Sequence, residues 1–325
     1  MAEQESFEYA EVDELGSIIH KDYTDYHIQH VLDLKLVNRE AIAKANLKVV
    51  VDAVNSVGGT VIPALLKALG VKEVVELNCE PTGRFAHNPE PIPENLIQIS
   101  EKIKECGADL GIVVDPDVDR LALVCENGEM FVEEYTLVAV ADYVLKHTPG
   151  NTVSNLSSSR ALRDVTLAHG QQYNAAAVGE VNVVTKMKET NTVIGGEGNG
   201  GVIYPESHYG RDALVGVGLF LSHFVAEGKS MTVLKATYPQ YFISKNKLTL
   251  SPDMDVDKIL EGLKKKYASE EITDIDGVKI DFKDGWVHLR KSNTEPIIRI
   301  YSESKDEAAA NQLAEEVIKV AQSLY

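Results

Sequence analysis

A chain of 325 residues is too long for one typical hydrophobic core and implies two or three domains. Fifty acidic against 32 basic residues, a net charge of −18, argue against nucleic acid and anionic membrane surfaces as partners. Cys79, Cys106 and Cys125 are odd in number and lack CxxC spacing, which points to a reduced compartment, the cytoplasm; no apolar run reaches transmembrane length, and the N-terminus is acidic rather than signal-like.

Residues 1–40 read as a lead-in, with Tyr26, Ile28, Val31, Leu32 and Leu34 on one short amphipathic helix. An α/β rhythm starts at Leu47: a strand over 47–51, a helix from Gly58-Gly59 through Leu69 closed by Gly70, and a strand over 74–77. A helix then starts at Pro93-Glu94-Asn95 and ends near Gly107. Thr148-Pro149-Gly150 marks a boundary, so the first α/β domain is expected over 41–149. A second α/β unit, 150–238, follows, with strands near 152–156, 173–178 and 192–196 and helices over 159–168, after Gly179, and from about Asp212 to Ala226. It repeats the first unit's rhythm without a sequence repeat strong enough to show duplication. Over 239–325, helix 256–266, short strands near 278–282, 286–290 and 297–301, and a closing helix from Lys305 read as a small α+β domain. The expected fold is therefore two consecutive α/β, mixed-sheet domains followed by a small C-terminal α+β domain.

The most informative run is Asp115-Pro116-Asp117-Val118-Asp119-Arg120, between the apolar runs Leu110-Gly111-Ile112-Val113-Val114 and Leu121-Ala122-Leu123-Val124. That pattern reads as strand, tight acidic loop, strand. Three carboxylates this close repel unless a cation holds them, and a hard divalent ion, Mg²⁺ above all, is the natural partner. A solvated acidic turn is the bland reading. An EF-hand is the sharper rival, since Glu126 falls at its twelfth position, but Arg120 stands where that loop needs Gly and the flanks are strands.

Gly195-Gly196-Glu197-Gly198-Asn199-Gly200-Gly201 is a second signal. As a dinucleotide loop it would set Glu197 against pyrophosphate, with no helix opening directly after it. A carboxylate and an amide, Glu197 and Asn199, on a flexible loop suit sugar hydroxyls better; a plain surface turn is the alternative. The third signal is Arg290-Lys291-Ser292-Asn293-Thr294-Glu295-Pro296-Ile297-Ile298-Arg299. Guanidinium groups, hydroxyls, an amide and turn N–H groups are the donors a phosphate dianion takes, against the plainer reading of a hairpin with surface charges.

These three loops, in this order, resemble those of the α-D-phosphohexomutase family, and Val51-Asp52-Ala53-Val54-Asn55-Ser56-Val57-Gly58-Gly59 and Pro93-Glu94-Asn95-Leu96 match its second domain. The resemblance covers domains two to four of that four-domain family. It implies that the first domain, which carries the active-site phosphoserine, is not in this chain and is its partner in a longer enzyme. Ala86-His87-Asn88-Pro89 resembles the Ser-His-Asn-Pro loop of some phosphotransfer enzymes, but Ala86 stands at the nucleophile position and the run reads as structural. The family's sugar loop commonly reads Gly-Glu-x-Ser-Gly-His. Here Asn199 replaces the Ser and Gly201 the His, a variant similar to archaeal-type phosphoglucosamine mutases.

The resemblance implies interconversion of hexose 6-phosphate and hexose 1-phosphate through a hexose 1,6-bisphosphate, with glucosamine phosphate favoured and mannose or glucose phosphates left open. It implies Mg²⁺ on Asp115, Asp117 and Asp119, charge neutralisation by Arg120, sugar hydroxyls on Glu197 and Asn199, and the non-reacting phosphate on Arg290, Ser292, Asn293, Thr294 and Arg299. Ser157-Ser158-Ser159-Arg160 is an extra substrate contact or, equally, a helix cap. The alternative from another class is a phosphosugar-binding module without catalysis, and this chain alone is expected to be inactive.

Overall fold

In the first unit, Val49, Val50 and Val51 are β-branched and fully buried, and they sit in β1 (Lys48–Asp52) at the centre of a four-stranded sheet. The computed structural model describes residues 4, 6–251, 254–292 and 295–324. The chain enters through α1 (Thr24–Asp33) and α2 (Arg39–Ala45), the helix capped by the Asn38 side chain. After β1 come α3 (Gly58–Leu69), closed by Gly70 in the left-handed region, β2 (Glu73–Leu77), α4 (Ile97–Cys106), β3 (Leu110–Val114) and β4 (Leu121–Cys125). The order is β2-β1-β3-β4, with β4 antiparallel to β3 and the other pairs parallel.

The second unit begins with α5 (Glu133–His147), which the sequence pattern does not single out because it is apolar nearly all round; it lies before the Thr148-Pro149-Gly150 break. Then follow β5 (Asn151–Asn155), α6 (Ala161–Ala168), β6 (Tyr173–Ala176), α7 (Glu180–Glu189), β7 (Thr192–Glu197), β8 (Gly201–Ile203), α8 (Ala213–Glu227) and α9 (Met231–Lys235). Its strand order, β6-β5-β7-β8, with only β8 antiparallel, is the order of the first sheet. The repeated rhythm thus corresponds to a repeated topology. One continuous hydrophobic core, from Ile28 through Phe131, Leu137 and Phe220 to Tyr238, runs through both units.

The C-terminal unit is an antiparallel sheet, β10-β11-β12-β13-β9, built from β9 (Phe242–Thr249), β10 (Glu271–Thr273), β11 (Val278–Phe282), β12 (Gly285–Lys291) and β13 (Ile297–Ser304). β9 escapes a sequence reading because its alternating lysines look like loop. α10 (Val256–Lys266) and α11 (Glu307–Gln322) cover one face and form a separate small core with Val287, Leu289, Ile298 and Ile300. The fold is therefore two consecutive α/β domains followed by an α+β domain. No helix among the described residues is long and apolar enough to cross a membrane.

The C-terminal sheet meets the second unit through polar groups. Arg160 donates to Asp281 Oδ1 (3.1 Å) and the Gly285 carbonyl (2.9 Å), and its backbone N–H meets the buried Glu303 carboxylate. His288 Nε2–H donates to the Asp276 carbonyl (2.6 Å), which leaves Nδ1 to accept from the Ser157 hydroxyl (2.9 Å). The ring is thus held neutral, and burial pushes its pKa down to about 4. In the unfolded chain the same ring titrates near 6.5. Between pH 6.5 and 4 the unfolded state holds the extra proton, so this histidine's contribution to stability is lost as the pH falls, by roughly 1.4 kcal/mol per pH unit where the slope is steepest. The buried carboxyls of Asp115, Glu134 and Glu303, all raised, work in the opposite direction. The expected result is therefore a difference: His288→Gln, compared with the parent by urea unfolding from pH 7 to pH 4.5, narrows its stability deficit as the pH falls. A deficit that is constant with pH would show that the ring takes up its proton as readily in the fold as in the unfolded chain.

Candidate active site

The acidic run forms the turn joining β3 to β4. Its backbone is bent by Val118, a β-branched residue held at φ 61°, where such residues are strained. The Val118 N–H reaches the Asp115 carbonyl (3.2 Å), and its carbonyl accepts from the Ala213 N–H at the start of α8 (3.1 Å). Asp115 Oδ1 caps the turn by accepting from the N–H groups of Asp119 and Arg120, both at 3.1 Å. The result gathers Asp115, Asp117 and Asp119, with one oxygen from each lying within 4.8 Å of the others.

Burial, reinforced by the charges of Asp119 and Asp117 and partly offset by the Arg120 N–H, pushes the Asp115 pKa up to about 6. Asp119 Oδ1 is buried without a hydrogen-bond partner. Arg120 Nε stands 3.5 Å from Asp115 and 3.7 Å from Asp119, beyond hydrogen-bond length. Three converging hard oxygens, one of them orphaned, fit a divalent cation of the Mg²⁺ class.

The glycine-rich run is not the flexible loop the sequence suggests. β7 continues through Glu197, and residues 198–200 are the turn of a hairpin with Glu197 opposite Gly201. The glycines serve close approach. A Cβ on Gly198 would lie 2.0 Å from Glu134 Oε2, and one on Gly200, at φ 92°, would lie 2.5 Å from the Leu121 carbonyl. The hairpin is therefore clamped between α5 and β4, and the Leu121 N–H donates to the Gly200 carbonyl (3.0 Å). Arg120 and Gly201 form an antiparallel bridge at the same point.

Glu197 is nearly enclosed, at 4 % exposure. Its carboxylate accepts from Asn155 Nδ2 (2.8 Å), the Gly179 N–H (3.2 Å) and Arg211 Nη1 (2.9 Å). Asn199 is half-buried, its Oδ1 accepting from the Gly201 N–H (3.2 Å). Arg211 is the residue that sequence reasoning misses: a lone arginine before a helix cap gives no signal. Its Nη2 also donates to Asp119 Oδ2, so one guanidinium joins the acidic turn to the hairpin. Its backbone N–H is held by Glu180 (2.8 Å). A Cβ on Gly201 would fall 2.3 Å from Arg211 Cδ, so the arginine runs through the space an imidazole at position 201 would occupy.

In the C-terminal sheet, Arg290 and Arg299 are direct cross-strand neighbours, and Lys247 on β9 stands opposite Arg299. Like charges in register are destabilising unless an anion lies over them. Glu295 is 3.6 Å from Arg299, and Asp276 is 3.7 Å from Arg290, both loose for ion pairs. Ser292 is buried, and its hydroxyl accepts from the Glu295 N–H (3.3 Å). Asn293 and Thr294 lie outside the described residues. Lys247 is a further residue the sequence does not flag, because its strand is not recognised.

The Ser157-Ser158-Ser159-Arg160 run is committed internally. Ser158 Oγ supports the hairpin by accepting from the Gly198 N–H (2.9 Å), the Ser159 N–H holds Glu134 (2.8 Å), and Arg160 docks the C-terminal sheet. His87 likewise sits against buried Asp52, with Nε2 to Oδ2 at 3.2 Å.

Because Arg211 and Gly201 share one space, their energies are coupled. Gly201→Ala is expected to destabilise the fold by about 1–3 kcal/mol. In Gly201→Ala/Arg211→Ala the two costs are expected to sum to less than their separate values. Strict additivity in chemical denaturation would show that the arginine does not cross the hairpin.

Family models give the same segmentation. Residues 22–128 match the phosphoglucomutase/phosphomannomutase alpha/beta/alpha domain II, residues 133–241 domain III, and residues 248–320 the C-terminal domain. A phosphoglucomutase/phosphomannomutase of Thermococcus kodakarensis is 38% identical over 97% of this chain and 69% of its own length. A phosphoglucosamine/phosphogalactosamine mutase of Sulfurisphaera tokodaii is 33% identical over 88% of this chain and 64% of its own. The crystal structure of a phosphoglucomutase/phosphomannomutase family protein from Burkholderia thailandensis superposes with a TM-score of 0.80 at 28% identity, covering 93% of this chain and 65% of that one. With matches to three successive domains and the acidic turn, hairpin and basic row set in that order, this chain belongs to the phosphoglucomutase/phosphomannomutase family.

Proposed function

We propose that this chain supplies the cation, sugar and distal-phosphate subsites of a phosphohexomutase that interconverts hexose 6-phosphate and hexose 1-phosphate through a 1,6-bisphosphate. The observation that carries the reading is the guanidinium of Arg211 on both Asp119 and Glu197, which makes the acidic turn and the hairpin one rigid unit. Glucosamine phosphate is the favoured substrate, on the Asn199 and Gly201 variant of the hairpin and on the amino-sugar name of one relative. The phosphoserine that the resemblance calls for belongs to the family's first domain, outside this chain, and the setting is cytoplasmic.

Phosphoryl transfer asks little of a protein beyond alignment and charge stabilisation. A divalent cation on Asp115, Asp117 and Asp119 would polarise a phosphoryl oxygen. Arg120, half-buried beside that trio, places positive charge where negative charge builds on the transferred group. Asn199 offers its amide to sugar hydroxyls at the hairpin tip, while Glu197, enclosed beneath it and held by Asn155, Gly179 and Arg211, fixes the hairpin that presents it. Arg290, Arg299 and Lys247, with Ser292, Asn293 and Thr294, grip the phosphate that does not react. The same row has to accept either end of the bisphosphate, and a row of cations on open strands can do so because charge, unlike shape, does not distinguish the two ends.

Arg299→Ala and Lys247→Ala are each expected to weaken glucosamine 6-phosphate binding by one to two orders of magnitude for the arginine and less for the lysine, since charge-assisted bonds are worth about 1.5–3 kcal/mol. Calorimetric titration reads this directly, and unchanged affinity in both variants would remove the phosphate assignment.

This chain with Mg²⁺ and a sugar 1,6-bisphosphate is expected to show no turnover of glucosamine 6-phosphate, mannose 1-phosphate or glucose 1-phosphate in a coupled assay. Addition of the family's first domain is expected to give activity, highest with glucosamine phosphate and lost on Asp117→Asn. Turnover by the chain alone would reveal a nucleophile within it. Binding without activity after the domain is supplied would favour a phosphosugar-binding module.

A further inference from the structure

We propose a second metal site, for a divalent transition ion of the Zn²⁺ class, formed by His27, His208 and Asp212 and independent of the acidic turn. His27 lies on α1, 185 residues from Asp212, and His208 lies in the loop between β8 and α8. Both imidazoles bring the same atom, Nε2, to the same carboxylate oxygen, Asp212 Oδ2, at 2.7 and 2.9 Å. The three donor atoms all lie within 4.8 Å of one another.

The carboxylate is fixed beforehand. Asp212 caps α8, its Oδ1 accepting from the N–H groups of Leu214 (2.8 Å) and Val215 (3.1 Å), which turns Oδ2 toward the two histidines. His208 is backed by Gly210, where a Cβ would lie 3.0 Å from its Nδ1. His27 is fixed by the helix that buries Ile28 and Val31 in the shared core. Two imidazoles and one carboxylate, from a helix, a loop and a helix cap, form the donor set of an open transition-metal site, with solvent completing the shell.

The two histidine–carboxylate contacts need little change. Ligand atoms bonded at about 2.05 Å around a tetrahedral ion stand roughly 3.3 Å apart, so the two contacts would open by about half an ångström as the ion took the place of the Nε2 protons, each ring staying neutral with its one proton on Nδ1. Imidazole ligands select this site for a borderline metal, while the all-oxygen acidic turn selects Mg²⁺. His30, one helical turn beyond His27 and hydrogen-bonded to Ser207 (2.9 Å), extends the same join between α1 and this loop.

The site reaches the catalytic region through one peptide bond. Asp212 follows Arg211, whose side chain holds Asp119 and Glu197. A metal here would lock α1, the segment by which the chain enters the fold, to the loop that aligns the acidic turn and the hairpin.

The test is equilibrium dialysis of the full chain against Zn²⁺ in excess Mg²⁺ at neutral pH, with thermal melts of the same samples. One equivalent of Zn²⁺ is expected, with a higher melting temperature. His27→Gln and His208→Gln are each expected to weaken binding tenfold or more and to abolish the thermal shift. Asp117→Asn is expected to leave both readouts unchanged. Melts without metal show whether the histidine variants fold. If one of them does not, the other and a Co²⁺ absorption titration of the parent, which reports imidazole coordination, decide the matter. No stoichiometric Zn²⁺, retention of binding in His27→Gln/His208→Gln, or its loss in Asp117→Asn would each overturn the site.

Discussion

Arg211 places one positive charge between two acidic turns that already meet at the Arg120–Gly201 bridge. On one side stand the three carboxylates between β3 and β4; on the other stands Glu197, enclosed at the end of β7. Without a cation between them, the buried carboxylates of Asp115 and Glu197 and the half-buried one of Asp119 would stand close together with little water to screen them. Burial raises the free-energy cost of that arrangement more than surface repulsion would. The guanidinium is the right group because it is planar, does not lose its proton, and can bond two carboxylates at once. Several other features follow from its path: glycine at 201, Glu180 on its backbone, and Asp212 beside it as a helix cap.

The repeated topology explains why these turns meet. In both sheets the order is second, first, third, fourth, and in both the reversal comes between the third and fourth strands. The acidic turn and the glycine hairpin are therefore equivalent positions in two similar units. The units share one core, so their fourth strands are brought side by side, and the Arg120–Gly201 bridge is the point of contact. Strain gathers in the same region. Val54 follows β1, Val118 lies in the acidic turn and Val132 precedes α5, all at positive φ. Such residues persist only where surrounding packing over-determines the backbone, as it does at sites that hold a geometry against relaxation.

What could be read in the sequence was what is local. β3, the acidic turn and β4 were legible because two apolar runs frame three alternating aspartates. Helix 256–266 was legible because its apolar face recurs at helical spacing beside a lysine-rich one. Arg211 and Lys247 were not, since each acts through a partner distant in sequence: Arg211 on Asp119, Lys247 across the sheet from Arg299. The flexible reading of the glycine-rich run failed for a related reason. Glycine marks both freedom and close approach, and only the neighbours, Glu134 and Leu121, show which applies. The serine run resolved the same way, its hydroxyls and N–H groups turned inward to Gly198, Glu134 and His288.

The basic row is attached differently from the two turns. The first two units are joined by apolar burial, which no solvent group replaces. The C-terminal sheet is joined to them by Arg160 on Asp281 and Glu303, by Ser157 on His288, by the Val178 N–H on Asp276 (3.0 Å) and by Lys245 near Glu133 (3.3 Å). Displacing the sheet costs the difference between protein and water hydrogen bonds, about 1 kcal/mol for each neutral contact and about 1.5–3 kcal/mol for each contact to a charged group. In the proposed reaction, a bisphosphate that turns end for end would be served by a fixed reacting centre and a phosphate grip attached through replaceable contacts. The Arg211 junction thus rests on apolar burial shared by two units, and the Arg290–Arg299–Lys247 row on polar contacts.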